Sequence, residues 1–494
     1  MIHDAIGNNV RASSHGQQQY DQLGVGTLHY FAIAAVAMVA SSVWLGESVR
    51  SISRICLVFG LGCALAVVVR TRHRRKWLVV VVCLVSCLVC WRSHIEWRNV
   101  ERVDSGDYNG LAVLKTDPQP IGRGVRVVLE IEGQRFESWI YGSSARRISS
   151  FVSGETINVA GTRQVSTGAN RRLQVRHIVG RFDVKVLSNL STGAHISESR
   201  FELAANRIRS ALGEGARVLP VDQSSLFAGL VYGDDSQQPP EMVDRFRASG
   251  LAHLTAVSGQ NVAFILTVAA PFLTRLRRWS RLTLTLLVLA WFAIMTRLEP
   301  SVIRAVTMAG ISATVFAIGG RLKAWQVLAA TCVGLLLIDP FLLWSVGWWL
   351  SIGGSSGLIL LSSRIRTTLE CWGLHSHQWV LNWVVPSLAA QLGVLPIAVM
   401  VFGWPSAVAI PCNLLAIPVA GIVMLAGIPI ALMSGFLPSV IASVAMWPLG
   451  VGVKWVDTVA ALGQRFNLPI WFDIAVGLAP LLLMMRHRCD NLET

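Results

Sequence analysis

Long apolar runs separated by short polar breaks occupy most of this 494-residue chain. Three open it, at 28–44, 55–69 and 77–91. Nine more follow residue 250, at 252–273, 282–296, 301–319, 324–338, 341–361, 379–402, 406–432, 436–460 and 469–485. A spanning helix needs about 20 apolar residues, so the pattern predicts a polytopic α-helical membrane protein of about 12 transmembrane helices. The runs at 55–69 and 77–91 are short for the task. The run at 406–432 carries Pro411, Pro418 and Pro429 and reads as a broken or re-entrant segment.

The pattern changes between 100 and 190. Alternating, β-branched stretches flank Glu132-Gly133 in "GVRVVLEIEGQRFESWIYG", which predicts a hairpin. "GETINVAGTRQV" and "RRLQVRHIVGRFDVKVL" follow as further strands. Short strands with glycine turns predict a small all-β domain, with an OB-like barrel as first choice. Gly122 and Gly124 lack the strand–helix setting of a nucleotide site and read as a turn. From 200 to 250, "RFELAANRIRSAL" and "PPEMVDRFRASG" read as amphipathic surface helices around a short apolar stretch ending in Gly233-Asp234-Asp235. The expected domains are a polar tail at 1–27, membrane helices at 28–95, the β-domain at 100–190, amphipathic helices at 200–250, a polytopic domain at 251–486 and a tail at 487–494.

Charge orients this arrangement. The net charge is +15, yet only 14% of residues are charged, against about a quarter in soluble domains. Basic loops mark the cytoplasmic side of a membrane protein, so the excess does not by itself announce nucleic acid. Arg70-Thr-Arg-His-Arg-Arg-Lys76, then Arg275 to Arg281, Arg321 with Lys323, Arg364 with Arg366, and Arg486 with Arg488 fall on one side of a twelve-helix count. That count places both termini in the cytoplasm and the β-domain outside the cell membrane. The β-domain holds about 13 basic and 9 acidic residues and is only mildly basic.

The nine cysteines sit mostly in apolar runs and suggest packing rather than disulfides or a metal. His375 and His377 lack neighbouring carboxylates, so no metal site is expected there. No cofactor is expected, and no Walker motif appears, so any driving force is expected to come from a partner.

The chemistry concentrates at interruptions of the apolar pattern. "GLAHLTAVSGQNVAFIL" keeps His253, Thr255, Ser258, Gln260 and Asn261, with Gly259 among them, where a membrane helix should begin. Polar groups in hydrocarbon cost several kcal/mol each unless satisfied, and a broken helix lining a wet cavity accounts for all of them. Interface anchoring is the plainer alternative. Ser258 with His253 as a nucleophile and base lacks the GxSxG elbow and a third member. Arg304 stands inside an apolar helix that carries Ala305, Ala309, Ala313 and Ala317 as a stripe for close packing. It either snorkels outward or offers a cation to a phosphate. Asp339-Pro340 reads as a turn, and Gly353, Gly354 and Gly357 as sites of unwinding or close backbone approach. Gln391, Asn413, Pro396 and Pro418 interrupt later helices; the prolines Pro340, Pro396 and Pro418 are expected to break them.

At this point the chain resembles the ComEC family of competence proteins. The resemblance rests on "SLFAGLVYGDD…FRASGLAHLTAVSGQNVAFIL", "EPSVIRAVTMAG", "LLLIDPFLLWSVGWWLSIGGSSGLILL" and "PSLAAQLGVLPIAVMVFGWPSAVAIPCNLLAIPV", and on the order of the parts. It implies an inner-membrane channel that passes one DNA strand into the cytoplasm during natural transformation. It places His253, Ser258, Gly259, Arg304, Asp339, Pro340, Gln391, Pro396, Asn413 and Pro418 on family motif positions, with Gln260 and Asn261 beside them on the path. The signature often has His where this chain has Asn261. No HxHxDH motif is found, so the metallo-β-lactamase-like nuclease domain of many members is not expected, and the chain is not expected to be an enzyme. The implied partners are single-stranded DNA, membrane lipid, an extracellular DNA receptor, a cytosolic DNA translocase and a separate nuclease. Trp291, Trp344, Trp348 and Trp349 could stack bases or anchor the membrane interface. A permease for another solute and a membrane-embedded hydrolase are the rival readings.

Overall fold

The computed structural model describes residues 76–102, 104–165, 171–188, 200–255, 259–371 and 378–466, with Ala40 and Asp473. They belong to two compact units. One comprises residues before Asn99 plus Leu322–Leu343, and the other comprises Asn99–Arg321 plus Trp344–Thr494. The runs at 28–44 and 55–69 lie outside the described residues, apart from Ala40, as does 469–485 apart from Asp473. The run at 77–91 lies within α1 (Lys76–Glu101).

Six strands follow: β1 (Gly106–Leu114), β2 (Gln119–Ile121), β3 (Gly124–Ile131), β4 (Gln134–Tyr141), β5 (Thr156–Val165) and β6 (Ile178–Ser188). Helix α2 (Gly142–Ile148) separates β4 from β5, and a single turn α3 (Arg171–Gln174) precedes β6. The pairing runs β1-β5-β6-β4-β3 and returns from β3 to β1, with β2 on the edge of β3. The sheet therefore closes on itself, and only β4 with β6 is parallel. This is the small barrel that the strand spacing predicts. Glu132 and Gly133 form the hairpin tip with φ of 49° and 79°, the left-handed pair that a two-residue turn demands. Gly122, at φ 60°, turns β2 into β3. Leu129, Ile131, Phe136, Val159 and Phe182 fill the interior. The expected strand at "RRLQ" is instead helix α3, because the polar and charged run there has no alternating apolar face to place in the barrel.

The rest is helical: α4 (Arg200–Ala216), α5 (Val221–Tyr232), α6 (Pro240–Ala248), α7 (Ala252–Thr255), α8 (Gly259–Leu273), α9 (Arg278–Met295), α10 (Pro300–Ala317), α11 (Ala324–Ile338), α12 (Val346–Cys371), α13 (Gln378–Phe402), α14 (Ala409–Ser434) and α15 (Ser439–Arg465). Among the described residues, five helices are long and apolar enough to cross a membrane: α9, α10, α14, α15 and residues 384–402 of α13. Helices α8 and α11 are apolar but only 15 residues long.

Three expectations need correction. The segment 406–432 is not broken: α14 is one helix of 26 residues through Pro418 and Pro429. Likewise α13 continues through Pro386 and Pro396. Each proline removes one backbone donor, but long apolar flanks and packed neighbours keep the helix going. Pro340 does mark a break, since it opens a 3-10 turn (Pro340–Trp344) between α11 and α12. Second, the 200–250 helices are not merely surface helices. Ala205, Leu212, Leu226, Phe227, Leu230, Val231 and Phe246 share one buried cluster with Val262, Phe292, Val302, Ala420 and Val453.

Third, strict alternation of twelve spans places the α9–α10 turn and the α14–α15 turn on opposite faces. Helix α4 meets both. Arg209 donates to the Met295 carbonyl at 3.0 Å. Ala211 and Gly215, on the same helix, lie against Gly435 and the Ala431 carbonyl. Contacts two to six residues apart on one helix cannot bridge a hydrocarbon core about 30 Å thick. Both turns therefore lie toward the same end of the bundle. Charge could not have revealed this, because "SGFLPS" between α14 and α15 carries none.

Glycines do the close packing that the "GGSSG" run predicts. A methyl on Gly357 would meet the Ala389 carbonyl, and one on Gly353 would meet the Gly393 carbonyl. Helices α12 and α13 thus touch backbone to backbone.

Candidate nucleic-acid pathway

Arg304 lies one turn into α10 and is 7% exposed. Its Nε donates to Ser351 Oγ of α12 at 2.6 Å, and Nη1 lies 2.9 Å from Met308 Sδ. A methyl on Gly259 would stand 3.1 Å from both Arg304 Nη2 and Ala305 Cβ. Gly259 is the first residue of α8. With no side chain there, the first turn of α8 rests on the guanidinium, and a Cβ would need only a few tenths of an ångström of give. The structure therefore joins two residues that the sequence singled out separately, and adds Ser351, which sequence reasoning missed. Ala305 and Ala309 pack toward the core, as the small-residue stripe predicts.

Two residues on, Asn261 is buried and donates from Nδ2 to the Leu230 carbonyl at 3.3 Å. It borders a small pocket walled by Val231, Phe264, Phe292, Met424 and Ile428. Gln260 is exposed. His253 is exposed, with Nδ1 3.2 Å from the Gly250 carbonyl, and Thr255 Oγ1 donates to the Ala252 carbonyl at 3.0 Å. Ser258 lies outside the described residues, as do His375 and His377. Asn413 is 5% exposed on α14, and its Oδ1 meets no hydrogen-bond donor. Gln391 is half-buried on α13. Asp339 belongs to the other unit. There its Oδ1 accepts from the Phe341 amide at 2.9 Å, the turn-forming role expected of it.

Sequence reasoning also missed a second polar cluster. Asp117, in the loop after β1, accepts from Arg297 twice, at 2.8 and 3.2 Å. It accepts from Arg209 at 3.1 Å and from the Ser153 amide at 2.9 Å. Arg209 also reaches Asp234 at 3.2 Å. Burial alone would raise the Asp117 carboxyl, but Arg297 and Arg209 outweigh it and hold it below the usual carboxylate range. The signal in the sequence was faint: a single Asp before Pro118, and an arginine at the margin of an apolar run.

Residues 230–487 match the protein family described as "Competence protein". The chain is similar to ComE operon protein 3 of Bacillus subtilis (strain 168), 27% identical over 380 residues, which is 72% of this chain and 46% of that protein. It is similar to Competence protein ComA of Neisseria gonorrhoeae, 30% identical over 154 residues, 28% of this chain and 21% of that one. It is also similar to the uncharacterized protein YcaI of Escherichia coli (strain K12), 26% identical over 294 residues, 52% of this chain and 37% of the other. The chain spans less than half the length of each of these relatives. No solved structure matches it.

Proposed function

The chain belongs to the competence protein family, and on that premise we propose that it conducts a single DNA strand across the cell membrane during natural transformation. The observation that carries this reading is Arg304: a buried guanidinium inside an apolar 18-residue helix, set against the first turn of another helix. An arginine in such a place is costly and is kept for a task. Helix N-termini present backbone N–H groups and partial positive charge, and both attract phosphate. A guanidinium beside one makes a station for a polyanion. Gln260, Asn261 and His253 extend it along the path, and Gln391 and Asn413 continue it deeper.

The barrel serves as collector. On its outer face the β3–β4 ladder pairs Arg126 with Trp139 and Gly124 with Tyr141. Trp139 and Tyr141 are exposed at 36% and 61%. Exposed aromatic faces stack bases without reading sequence, and Arg126, held by Glu137 at 2.6 Å, steadies the ladder beneath Trp139. We place the barrel outside the cell, the N-terminus and the loop at Arg275 to Arg281 in the cytoplasm, and the α14–α15 turn on the barrel's side. An extracellular DNA receptor, a cytosolic translocase and a separate nuclease complete the pathway.

The test is delivery of labelled DNA to the cytoplasm in cells deleted for this chain and complemented with the parent or Arg304→Ala. The parent restores delivery and the variant, at equal membrane abundance, does not. Unchanged delivery on deletion in a transformable host would sink the proposal. For orientation, Phe436→Cys in a chain otherwise free of cysteine should react with a membrane-impermeant maleimide in intact cells. Reaction only after permeabilisation would refute that orientation.

A further inference from the structure

The turn between α9 and α10 contains Arg297 and Leu298 at φ of +59° and +55°. Both are left-handed and neither is glycine. Leucine there is a genuine outlier, so something outside the turn must hold it. Within the turn, the Leu298 amide donates to the Ala293 carbonyl at 2.9 Å, and Thr296 Oγ1 to Phe292 at 2.9 Å. The external hold comes from the barrel. Asp117 grips Arg297 through both carboxylate oxygens, and the Ser153 carbonyl takes a third contact at 3.5 Å. Arg209 closes the cluster from α4 and fixes the last carbonyl of α9.

Two residues after Leu298, α10 begins, and four residues later stands Arg304. A slip of one residue in this turn would rotate Arg304 by about 100° and shift it by about 1.5 Å. That takes its guanidinium away from Ser351 and Gly259.

We propose that Asp117 is a positioning residue: by imposing the left-handed turn at Arg297-Leu298, the barrel sets where Arg304 stands in the bundle. The β-domain is then part of the pathway's alignment as well as a collector. The uptake consequence rests on the conduction reading above; the structural consequence does not.

The experiment reads the position of α10 directly. In a cysteine-free chain, Gly259→Cys and Ala305→Cys are introduced together, and the disulfide is driven in membranes with copper phenanthroline. The parent cross-links efficiently. Asp117→Ala should lower the yield at least fivefold at equal membrane abundance. If that variant does not reach the membrane, Asp117→Asn, which keeps an acceptor for Ser153, is read in the same way. Leu298→Gly, which removes the penalty for a left-handed backbone, should restore at least half the lost yield. A yield indifferent to Asp117 overturns the proposal, and so does a loss that Leu298→Gly cannot rescue. DNA delivery is measured in matching chains without the paired cysteines and should follow the same order. If cross-linking behaves as expected while even the parent delivers no DNA, conduction fails and the positioning role stands.

Discussion

Arg297 and Arg304 stand seven residues apart, and their surroundings differ in kind. Arg297 is half-buried, and both oxygens of Asp117 accept from it. Arg304 is more deeply buried, and Ser351 and Met308 are among the groups that orient its guanidinium. A bidentate carboxylate turns Arg297 into a fastener, whereas the proposed reading gives Arg304 a passing phosphate to meet. Burial of a cation is thus poor evidence of purpose until its partners are known. On the proposed reading, one short stretch of chain carries both the station for the strand and the fastener that sets it.

The comparison breaks most sharply at Arg304. A hydrogen bond to a charged group contributes about 1.5–3 kcal/mol, so Arg304→Ala should lower DNA delivery roughly tenfold to a hundredfold. Arg304→Lys keeps the charge and loses the fork, and should fall between. Membrane abundance should hardly change in either. If abundance falls as far as delivery, Arg304 is a fastener too and the contrast collapses.

Next in size is the α12–α13 contact, which is packing alone. Gly357→Val would drive a side chain into the Ala389 carbonyl. Overpacking costs about 1–3 kcal/mol or more, and here the obstacle is backbone. The variant should lose most of its membrane protein, while delivery per surviving molecule stays near the parent. Quantitative blotting beside delivery separates the two.

The fastener itself has a pH signature. The Asp117 carboxyl is held below the usual range, after Arg297 and Arg209 overcome the opposing effect of burial. A depressed carboxyl stabilises the fold above its unfolded value, near 3.9, and loses that contribution as pH falls through its folded value. In detergent, Asp117→Asn should unfold earlier than the parent by a constant margin from pH 5 to 8, of order 2 kcal/mol. The margin should shrink below about pH 4. A margin that widens in acid would mean the carboxylate is not the stabilising form.

Much of this was legible in the chain. Apolar runs located α9, α10, α13 and α14 within a few residues, and the Glu132-Gly133 tip fixed the register of β3 on β4. The glycines of "GGSSG" gave away a close helix pair. What stayed hidden was non-local. Nothing in sequence ties Asp117 to Arg297 across 180 residues, and a left-handed Leu298 looks like any other leucine. The prolines misled for a related reason: local propensity says break, but long apolar flanks hold α13 and α14 together. Gly259 and Arg304 were each noticed, yet only the fold brings them into contact.

The smallest expected effect tests whether the path extends past Arg304. Asn413 is buried on α14 with an unsatisfied Oδ1. A buried polar atom without a partner costs about 1–3 kcal/mol, and an apolar group of similar shape relieves that cost. If Asn413 is only an imperfectly packed residue, Asn413→Leu should stabilise the chain by about 1 kcal/mol and leave delivery alone. If it lines the path, the same change should still stabilise the resting protein but lower delivery severalfold, because the strand loses a polar wall where water is scarce. Stability and function would then move in opposite directions, the mark of a residue kept for what passes it rather than for what surrounds it. Arg304→Ala and Asn413→Leu combined should lose more delivery than either alone if both meet the same strand, and no more than Arg304→Ala if Asn413 lies off the path.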